Sequence, residues 1–339
     1  MNRNSNNLKK LSLVWSCASL FFYYLVFIAL KSSHGLTSYI CCPSFFLSLG
    51  WFSFSFTLGI DILGSFFLVL SSLLTIICLV ISWCSVKFLK KEWNICIIST
   101  NLCLTLIFLS MNLFIFYIFF ELTLLPVFLL ISSWGSREQR FRASYYFFVY
   151  TLVGSLAMLL GLLKIYSEIG SLSVVTLYYV SCEHQAIVVV GFFLSLGVKV
   201  PMFPGHLWLP QAHVEAPLAG SVLLAGVLLK LGGYGIIRFL LPVFAGGMKD
   251  VSSVIVSLSI IAIVYGGVLT IRQTDLKRLI AYSSVSHMGV VTLSLTSQSL
   301  EGYSASILIM LAHGLVSSGL FISVTCLYER FHTRIIRAY

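Results

Sequence analysis

The sequence predicts an all-α membrane protein that crosses the bilayer many times. Hydrophobic residues make up 59% of the chain, charged residues only 9%, and the mean hydropathy is +1.01. A soluble domain needs far more charged residues to cover a surface that faces water. The apolar residues are also grouped into runs of about 20, the length of helix that spans a bilayer core. Together these observations predict a polytopic bundle of about ten transmembrane helices.

The apolar runs follow one another closely, so little sequence remains for a soluble domain. In chain order they cover residues 11–30, 62–83, 95–111, 113–133, 143–163, 186–209, 217–240, 251–271, 279–297 and 305–328. The first run is too long for the apolar part of a typical signal peptide, and we expect it to be a retained span. Residues 36–60 combine Pro43 and Gly50 with alternating aromatic residues, which predicts an extended segment on the outer side of the membrane.

The lysines and arginines between the runs predict the orientation of the chain. The net charge is +10, and most basic residues lie in alternate loops that would face one side of the membrane. The opposite loops hold only Lys31, Lys164 and Lys249. Basic residues collect on the inner side of membrane proteins, so both termini are predicted to lie inside. The positive charge is therefore an orientation signal, and nucleic acid is not an expected partner.

Two lysines lie within apolar runs, where a charge is costly. Lys230 is near the middle of the run at 217–240, and Lys199 lies just before Pro201 and Pro204. Because proline lacks a backbone donor, the two prolines predict a break in the helix after Lys199. Ionisable residues and broken helices at membrane depth often mark ion paths. These residues predict ion transport, and the alternative is that Lys199 extends to a membrane interface.

Glu121 lies near the centre of the run at 113–133 and has almost no polar neighbours in the sequence. A buried carboxylate needs a partner, and the two buried lysines are the available cations. Pairing favours the charged forms of both groups whereas desolvation opposes them, so the protonation of such a pair is easy to switch. The alternative is a neutral, hydrogen-bonded glutamic acid with a packing role.

Two histidines, His287 and His313, lie centrally in consecutive runs and are bordered by small residues such as Gly289 and Gly314. Small residues allow helices to approach closely and leave room for water. Histidine is the side chain that titrates nearest neutral pH. With Lys230, the two histidines are predicted to form a row that passes protons through water. Taken singly, each histidine is as easily explained as a packing residue.

Several other polar residues are weaker candidates. Glu215 is predicted to stabilise the start of the next helix or to line an opening. His206 and His213 flank the WLP turn, where they would line an inner-side opening or anchor an interfacial segment. The charged loop at 275–278 is predicted to be a solvated surface. The nine cysteines have no spacing typical of a metal site, and no nucleotide-binding or iron–sulfur motif is present.

Several motifs in the chain are shared with a known family. They are the stretch VKVPMFPGHLWLPQAHVEAPLAGSVLLAGVLLKLGGYGIIRF, followed by TIRQTDLKRLIAYSSVSHMGVV, LAHGLVSSGLF and YERFHTR. On these motifs, residues 60–339 resemble the antiporter-like subunits of respiratory complex I, the proton-translocating NADH:ubiquinone oxidoreductase, and subunit 4 of the mitochondrial complex in particular. The resemblance implies an antiporter-like bundle with one discontinuous helix at the transport path.

The resemblance also implies roles for five residues. In the family, the glutamate that matches Glu121 partners the lysine that matches Lys199, and the lysine that matches Lys230 leads toward histidines that match His287 and His313. The implied function is proton translocation coupled to quinone reduction elsewhere in the complex. No cofactor or metal is expected in this chain, whereas NADH, FMN, iron–sulfur clusters and ubiquinone are implied in partner subunits.

The sequence departs from the family pattern near both ends. Only one clear helix precedes residue 61, where the family generally has two, and the family continues beyond Tyr339 through a second broken helix. The expectation is a split subunit whose remaining helices come from a separate chain. Other membrane-arm subunits of complex I and membrane lipids are the further expected partners. The alternatives are a truncated structural subunit and a subunit of a cation/proton antiporter.

The predicted organisation has three parts. Residues 1–60 contain the N-terminal helix and the outer segment, and residues 61–185 contain the first part of an inverted repeat with the Glu121 helix. Residues 186–339 contain the broken helix, the Lys230 helix and the start of a second inverted repeat. The expected location is the mitochondrial inner membrane, with both termini on the matrix side.

Overall fold

The computed structural model describes residues 2–32, 40–41, 45–49, 52–86, 88–180 and 185–338. In this part of the chain, nine helices are long and apolar enough to cross a membrane. A further apolar helix, Gln185–Lys199, is shorter because the chain breaks after it. Each predicted apolar run is therefore helical in whole or in part, and the prediction of an all-α polytopic protein is confirmed.

The chain divides into two compact units, each described here by itself. The first unit contains Met1–Leu130 and Ser171–Tyr179, and the second contains Ile131–Gly170 and Val180–Tyr339. The units do not follow sequence order strictly, because the short segment Ser171–Tyr179 belongs with the earlier residues. The three-part organisation expected from the resemblance stays a prediction.

In the first unit, helices that follow one another in sequence pack against one another. Its helices are Asn2–Ser32, Ile62–Ser85, Lys90–Leu109, Leu113–Leu122 and Val174–Tyr179, together with the beginning of Leu124–Trp134. Ile62–Ser85 packs against both Asn2–Ser32 and Lys90–Leu109. Asn112 begins the helix that carries Glu121, because its side-chain oxygen accepts from the Phe114 amide at 2.9 Å.

The segment predicted to be extended forms two antiparallel strand pairs where the structure describes it. Strand β1 (Ile40–Cys41) pairs with β4 (Gly59–Ile60), and β2 (Phe45–Leu49) pairs with β3 (Phe52–Phe56). The remaining positions of this prediction, 36–39, 42–44 and 50–51, lie outside the described residues. Alternating aromatic residues thus correctly indicated strands here rather than another helix.

The second unit packs around one buried helix. Its helices are the end of Leu124–Trp134, then Arg140–Ile169, Gln185–Lys199, Trp208–Glu215, Leu218–Val243, Ala245–Ile271, Leu276–Thr296 and Leu300–Phe331. We call Leu218–Val243 the Lys230 helix, Leu276–Thr296 the His287 helix and Leu300–Phe331 the His313 helix. In the most apolar stretch of the Lys230 helix 94% of the residues are buried, against 22% in Ala245–Ile271. The Lys230 helix is therefore the core of this unit.

The predicted break after Lys199 is present. The helix ends at Lys199, and the half-helix that follows begins at Trp208. The Met202 amide donates to the Gly197 carbonyl rather than to Val198, so the Val198 carbonyl has lost its usual helical donor. The Trp208 indole N–H donates to this carbonyl at 3.0 Å and so ties the two halves of the broken helix together.

Gly232 allows the Lys230 helix to approach the broken helix closely. A Cβ atom at this position would lie 2.6 Å from the Leu196 carbonyl oxygen, closer than such atoms approach in proteins. A residue without a side chain is needed for this approach, as at many interfaces between membrane helices. The backbone near Lys230 therefore lies against the helix that ends at Lys199.

Candidate functional site

The Lys230 helix is irregular on both sides of its lysine. Two widened, π-helical turns, Leu224–Leu228 and Ile236–Leu240, flank Lys230. Such turns are rare and are found frequently at functional sites. The Lys230 side chain is completely buried, and its ammonium group donates to the Ala225 carbonyl in the first widened turn. The irregular backbone thus provides one of the partners that a buried ammonium needs.

Lys230 also contacts His313. The ammonium nitrogen lies 2.8 Å from Nδ1 of the His313 ring. Because an ammonium group can only donate, Nδ1 is the acceptor and a neutral His313 carries its proton on Nε2. The ring of His287 follows, with its centroid 5.7 Å from that of His313. The structure therefore brings three of the five predicted site residues together in one row.

A cavity of about 220 Å³ lies beside the two histidines, between the His287 helix and the His313 helix. Its polar lining comes from the two rings together with Ser283 and Ser317. The Ser317 hydroxyl is buried and has no hydrogen-bond partner among the described residues. Because buried polar atoms are normally bonded to protein or to water, we expect this hydroxyl to bind water.

The two other predicted site residues belong to different helices. Lys199 is the last residue of the helix before the break, and only 4% of its surface is exposed. Glu121 lies in the helix Leu113–Leu122 of the first unit. The pairing of Glu121 with Lys199 stays a prediction, as do the roles of all five residues.

A second group of polar contacts surrounds the C-terminal end of the half-helix Trp208–Glu215. Three consecutive carbonyls at this end each accept a hydrogen bond from a different segment. The pairs are Arg334 with Val214, the Ser136 amide with Glu215, and Lys277 with Ala216, each at 3.2 Å. A second Arg334 nitrogen donates to the Ser136 hydroxyl at 3.2 Å. Cations are favoured here because the C-terminal end of a helix is electronegative.

The position of Lys277 corrects the prediction that the loop at 275–278 is a solvated surface. Only 3% of Lys277 is exposed, whereas Arg278 is exposed and lies 4.0 Å from Asp275. Lys277 belongs to the first turn of the His287 helix, which packs against the half-helix Trp208–Glu215. The hydrogen bond from its ammonium group to the Ala216 carbonyl offsets part of the cost of burying the charge. Sequence alone does not tell which face of a helix start meets a neighbour.

Glu215 lines a polar cavity of about 220 Å³ together with Gln139, Arg142, Gln211 and Arg278. Only 5% of Glu215 is exposed, and its Oε2 atom has no hydrogen-bond partner within the described part of the chain. Glu215 was predicted either to stabilise the start of the next helix or to line an opening. Its place in the cavity wall agrees with the second role.

His213 is a buried histidine with unsatisfied nitrogens. Its ring is completely buried and stacks on Phe321 with 4.7 Å between centroids. Neither ring nitrogen has a hydrogen-bond partner among the residues described. His206 is also buried, with both ring nitrogens unsatisfied among the described residues, and it lies in a cluster of aromatic rings.

The broken helix, the buried lysine beside it and the row of histidines define a class of protein: an ion-translocating bundle of the antiporter type. The family described as NADH:quinone oxidoreductase/Mrp antiporter, TM matches residues 110–339. The chain belongs to this family of proton-translocating membrane subunits.

Curated relatives and solved structures show which members of this family the chain resembles. The chain is 49% identical to NADH-ubiquinone oxidoreductase chain 4 of Metridium senile, over 99% of this chain and 69% of the relative. It is 45% identical to chain 4 of Chondrus crispus, over 96% and 66% of the two sequences. Among solved structures, respiratory complex I from Thermus thermophilus with bound NADH contains a chain with a TM-score of 0.81 and 27% identity, which covers 97% of this chain and 72% of that one.

These similarities confirm the main predictions. The resemblance to subunit 4 of complex I and the antiporter-like fold are both confirmed. So is the prediction of a proton-translocating membrane subunit of the NADH:ubiquinone oxidoreductase type. The chain is an integral membrane protein, and other membrane subunits are its expected partners because its relatives are subunits of larger complexes. It spans about two thirds of the length of these curated relatives.

Proposed function

We propose that this chain carries protons across the mitochondrial inner membrane within an NADH:ubiquinone oxidoreductase. The observation that supports this most strongly is the contact between the buried Lys230 ammonium and Nδ1 of His313. NADH, FMN, the iron–sulfur clusters and ubiquinone would bind to partner subunits, and other membrane-arm subunits would contact this chain. A separate chain with further helices stays a prediction.

The proposed orientation places the basic end of the second unit toward the matrix. We define the basic end as residues 136–142, 272–278 and 330–337. These segments are joined by contacts, since the Leu276 amide donates to the Arg334 carbonyl at 3.1 Å and Arg334 donates to Ser136. Basic residues favour the inner side of membrane proteins, which for this complex is the matrix.

Protons would move along the row from Lys230 to His287. The Lys230 ammonium gives one proton to Nδ1 of His313, which leaves a neutral amine and a doubly protonated imidazole. His313 then releases its Nε2 proton to water in the adjoining cavity, and His287 accepts a proton from that water. Each transfer moves one proton and leaves the number of protons unchanged.

A change in nearby charge is sufficient to drive these transfers. A unit charge brought to 4 Å changes the energy of a charged group by about 4 kcal/mol at an effective dielectric constant of 20. This corresponds to about a thousandfold change in a proton-transfer equilibrium. From the family resemblance, we propose that Glu121 and Lys199 provide this change of charge when quinone is reduced elsewhere in the complex.

The proposal is tested with the whole complex reconstituted into sealed vesicles. We expect Lys230→Ala and Glu121→Ala each to lower the number of protons pumped per electron pair, because each removes a group that switches its charge. Lys249→Ala is the control, since Lys249 is exposed. NADH oxidation with an artificial electron acceptor reports assembly of the complex. Normal pumping in both variants, or transport that requires sodium, would contradict the proposal.

A further inference from the structure

We propose that Glu215 is the group that takes up protons from water at the basic end, before they pass to Lys230. This inference rests on the proposed function and adds the uptake site of the same path. The ligand is a hydrated proton, and the site is the polar cavity that Glu215 lines with Gln139, Arg142, Gln211 and Arg278.

The carboxylate of Glu215 is buried, and one of its oxygens lacks a hydrogen-bond partner among the described residues. Only 5% of the residue is exposed, and Oε2 has no hydrogen-bond partner in the part of the chain that the structure describes. Leaving a buried charged oxygen unpaired is costly, so such groups are normally bonded to protein or to water. The cavity beside it has room for several water molecules. We therefore expect Oε2 to be bonded to water in the cavity.

The backbone that carries Glu215 is held in place from three sides. Its own carbonyl accepts from the Ser136 amide, and the carbonyls before and after it accept from Arg334 and Lys277. Bonds to charged donors are among the stronger hydrogen bonds in proteins. The backbone that carries the carboxylate is thus held in place beside the cavity.

The charges that face Glu215 come from several elements. Arg142 and Arg278 line the same cavity, and the charges of Lys277 and Arg334 interact with Glu215. Four cationic side chains thus surround the carboxylate, from the segments that pack around the cavity. In the uptake step, one hydronium ion in the cavity gives a proton to the carboxylate and becomes water.

The way onward leads past Lys277 to His213. Lys277 donates to the Ala216 carbonyl next to Glu215, and His213 lies on the same half-helix as Glu215. Side chains two residues apart on a helix do not face each other, so Glu215 and His213 would exchange a proton through water rather than directly. Both ring nitrogens of His213 are without a partner among the described residues, so we expect each to bind water.

The first test compares two isosteric changes in the reconstituted complex. Glu215→Gln keeps the shape and hydrogen-bonding capacity of the side chain but cannot take up a proton. We expect it to slow proton pumping at least about tenfold, a conservative loss for one proton-transfer group. Glu138→Gln, at an exposed position of the same basic end, is the matched control and should pump normally. Equal pumping by the two variants would overturn the uptake role.

The second test separates proton uptake from a structural role. In Glu215→Ala, added formate should enter the cavity, carry protons in place of the missing carboxylate and restore part of the pumping, whereas chloride at equal concentration should not. No rescue by formate would overturn the proposal. Measuring Lys230→Ala in the same preparation distinguishes the uptake role of Glu215 from the proposed function, proton transport through Lys230. If Lys230→Ala loses pumping and Glu215→Gln does not, only the uptake site is wrong; normal pumping in Lys230→Ala refutes the proposed function itself.

Discussion

Two regions of the second unit bury ionisable groups in opposite ways. At Lys230 the ammonium is completely buried, yet it donates to the Ala225 carbonyl and contacts His313. At the half-helix Trp208–Glu215, Oε2 of Glu215 and both nitrogens of His213 are buried without partners among the described residues. The Lys230 ammonium finds its partners within the protein, whereas these atoms of Glu215 and His213 find none among the described residues.

This difference separates two requirements of a proton path. A relay in the middle of a membrane needs groups fixed at hydrogen-bond distance, because proton transfer depends on that geometry. A region that connects the relay with bulk solvent needs water and groups that this water can reach. The protein-bonded ammonium of Lys230 and the polar cavity beside Glu215 therefore fit successive parts of the proposed path.

The largest expected effect comes from replacing His213 by phenylalanine. His213→Phe keeps the stacking on Phe321 but removes both ring nitrogens. We expect pumping to fall at least about tenfold because a proton carrier is lost. Thermal unfolding should show unchanged or slightly higher stability, because two unsatisfied polar atoms leave the interior.

His206→Phe is the matched control for this change. His206 is also buried with both nitrogens unsatisfied in the described part of the chain, but it lies in an aromatic cluster. It should tolerate the substitution with normal pumping. If both variants pump normally, the unsatisfied nitrogens of His213 have no role in proton transfer, and the comparison between the two regions fails.

A smaller effect is expected from loosening the backbone near Glu215. Arg334→Gln removes the charged donor to the Val214 carbonyl and should cost about 2 kcal/mol of local stability, the usual range for hydrogen bonds to charged groups. Hydrogen–deuterium exchange at residues 214–216 should become about thirtyfold faster. Arg337→Gln, at an exposed position, should leave this exchange unchanged. Equal protection in both variants would show that Arg334 does not hold the half-helix.

The smallest expected effect concerns the packing of the Lys230 helix. Gly232→Ala places a methyl group against the Leu196 carbonyl and should destabilise the unit by about 1–3 kcal/mol. Gly319→Ala is the matched control, because a Cβ atom there meets no atom within 4 Å. It should be neutral or stabilising by up to about 1 kcal/mol. Thermal unfolding of the two variants measures the difference, and similar midpoints would argue against the close approach at Gly232.

Much of the fold could be predicted from the sequence because bilayer physics leaves few choices. Apolar runs of sufficient length must be helical, and two closely spaced prolines after Lys199 must interrupt a helix. The π-helical turns around Lys230 could not be predicted, because their sequence is as apolar and helix-forming as that of a regular helix. The Trp208 bond to Val198 also depends on tertiary geometry that no local pattern records.

The site was predictable where charge stands out against an apolar background. Lys230, His287 and His313 are conspicuous for this reason, and the structure places them in one row. Lys277 and Arg334 were missed because charged residues near helix ends usually face water. Their burial depends on the half-helix Trp208–Glu215, whose carbonyls they bind.

The measurement that tests the central claim most directly is the number of protons pumped per electron pair by a complex that carries Lys230→Arg. Arginine keeps the positive charge but cannot release its proton, so a relay through Lys230 must stop. We predict a lower proton-to-electron ratio than in the wild type, while Lys249→Arg pumps normally. An unchanged ratio in Lys230→Arg would show that protons do not pass through Lys230.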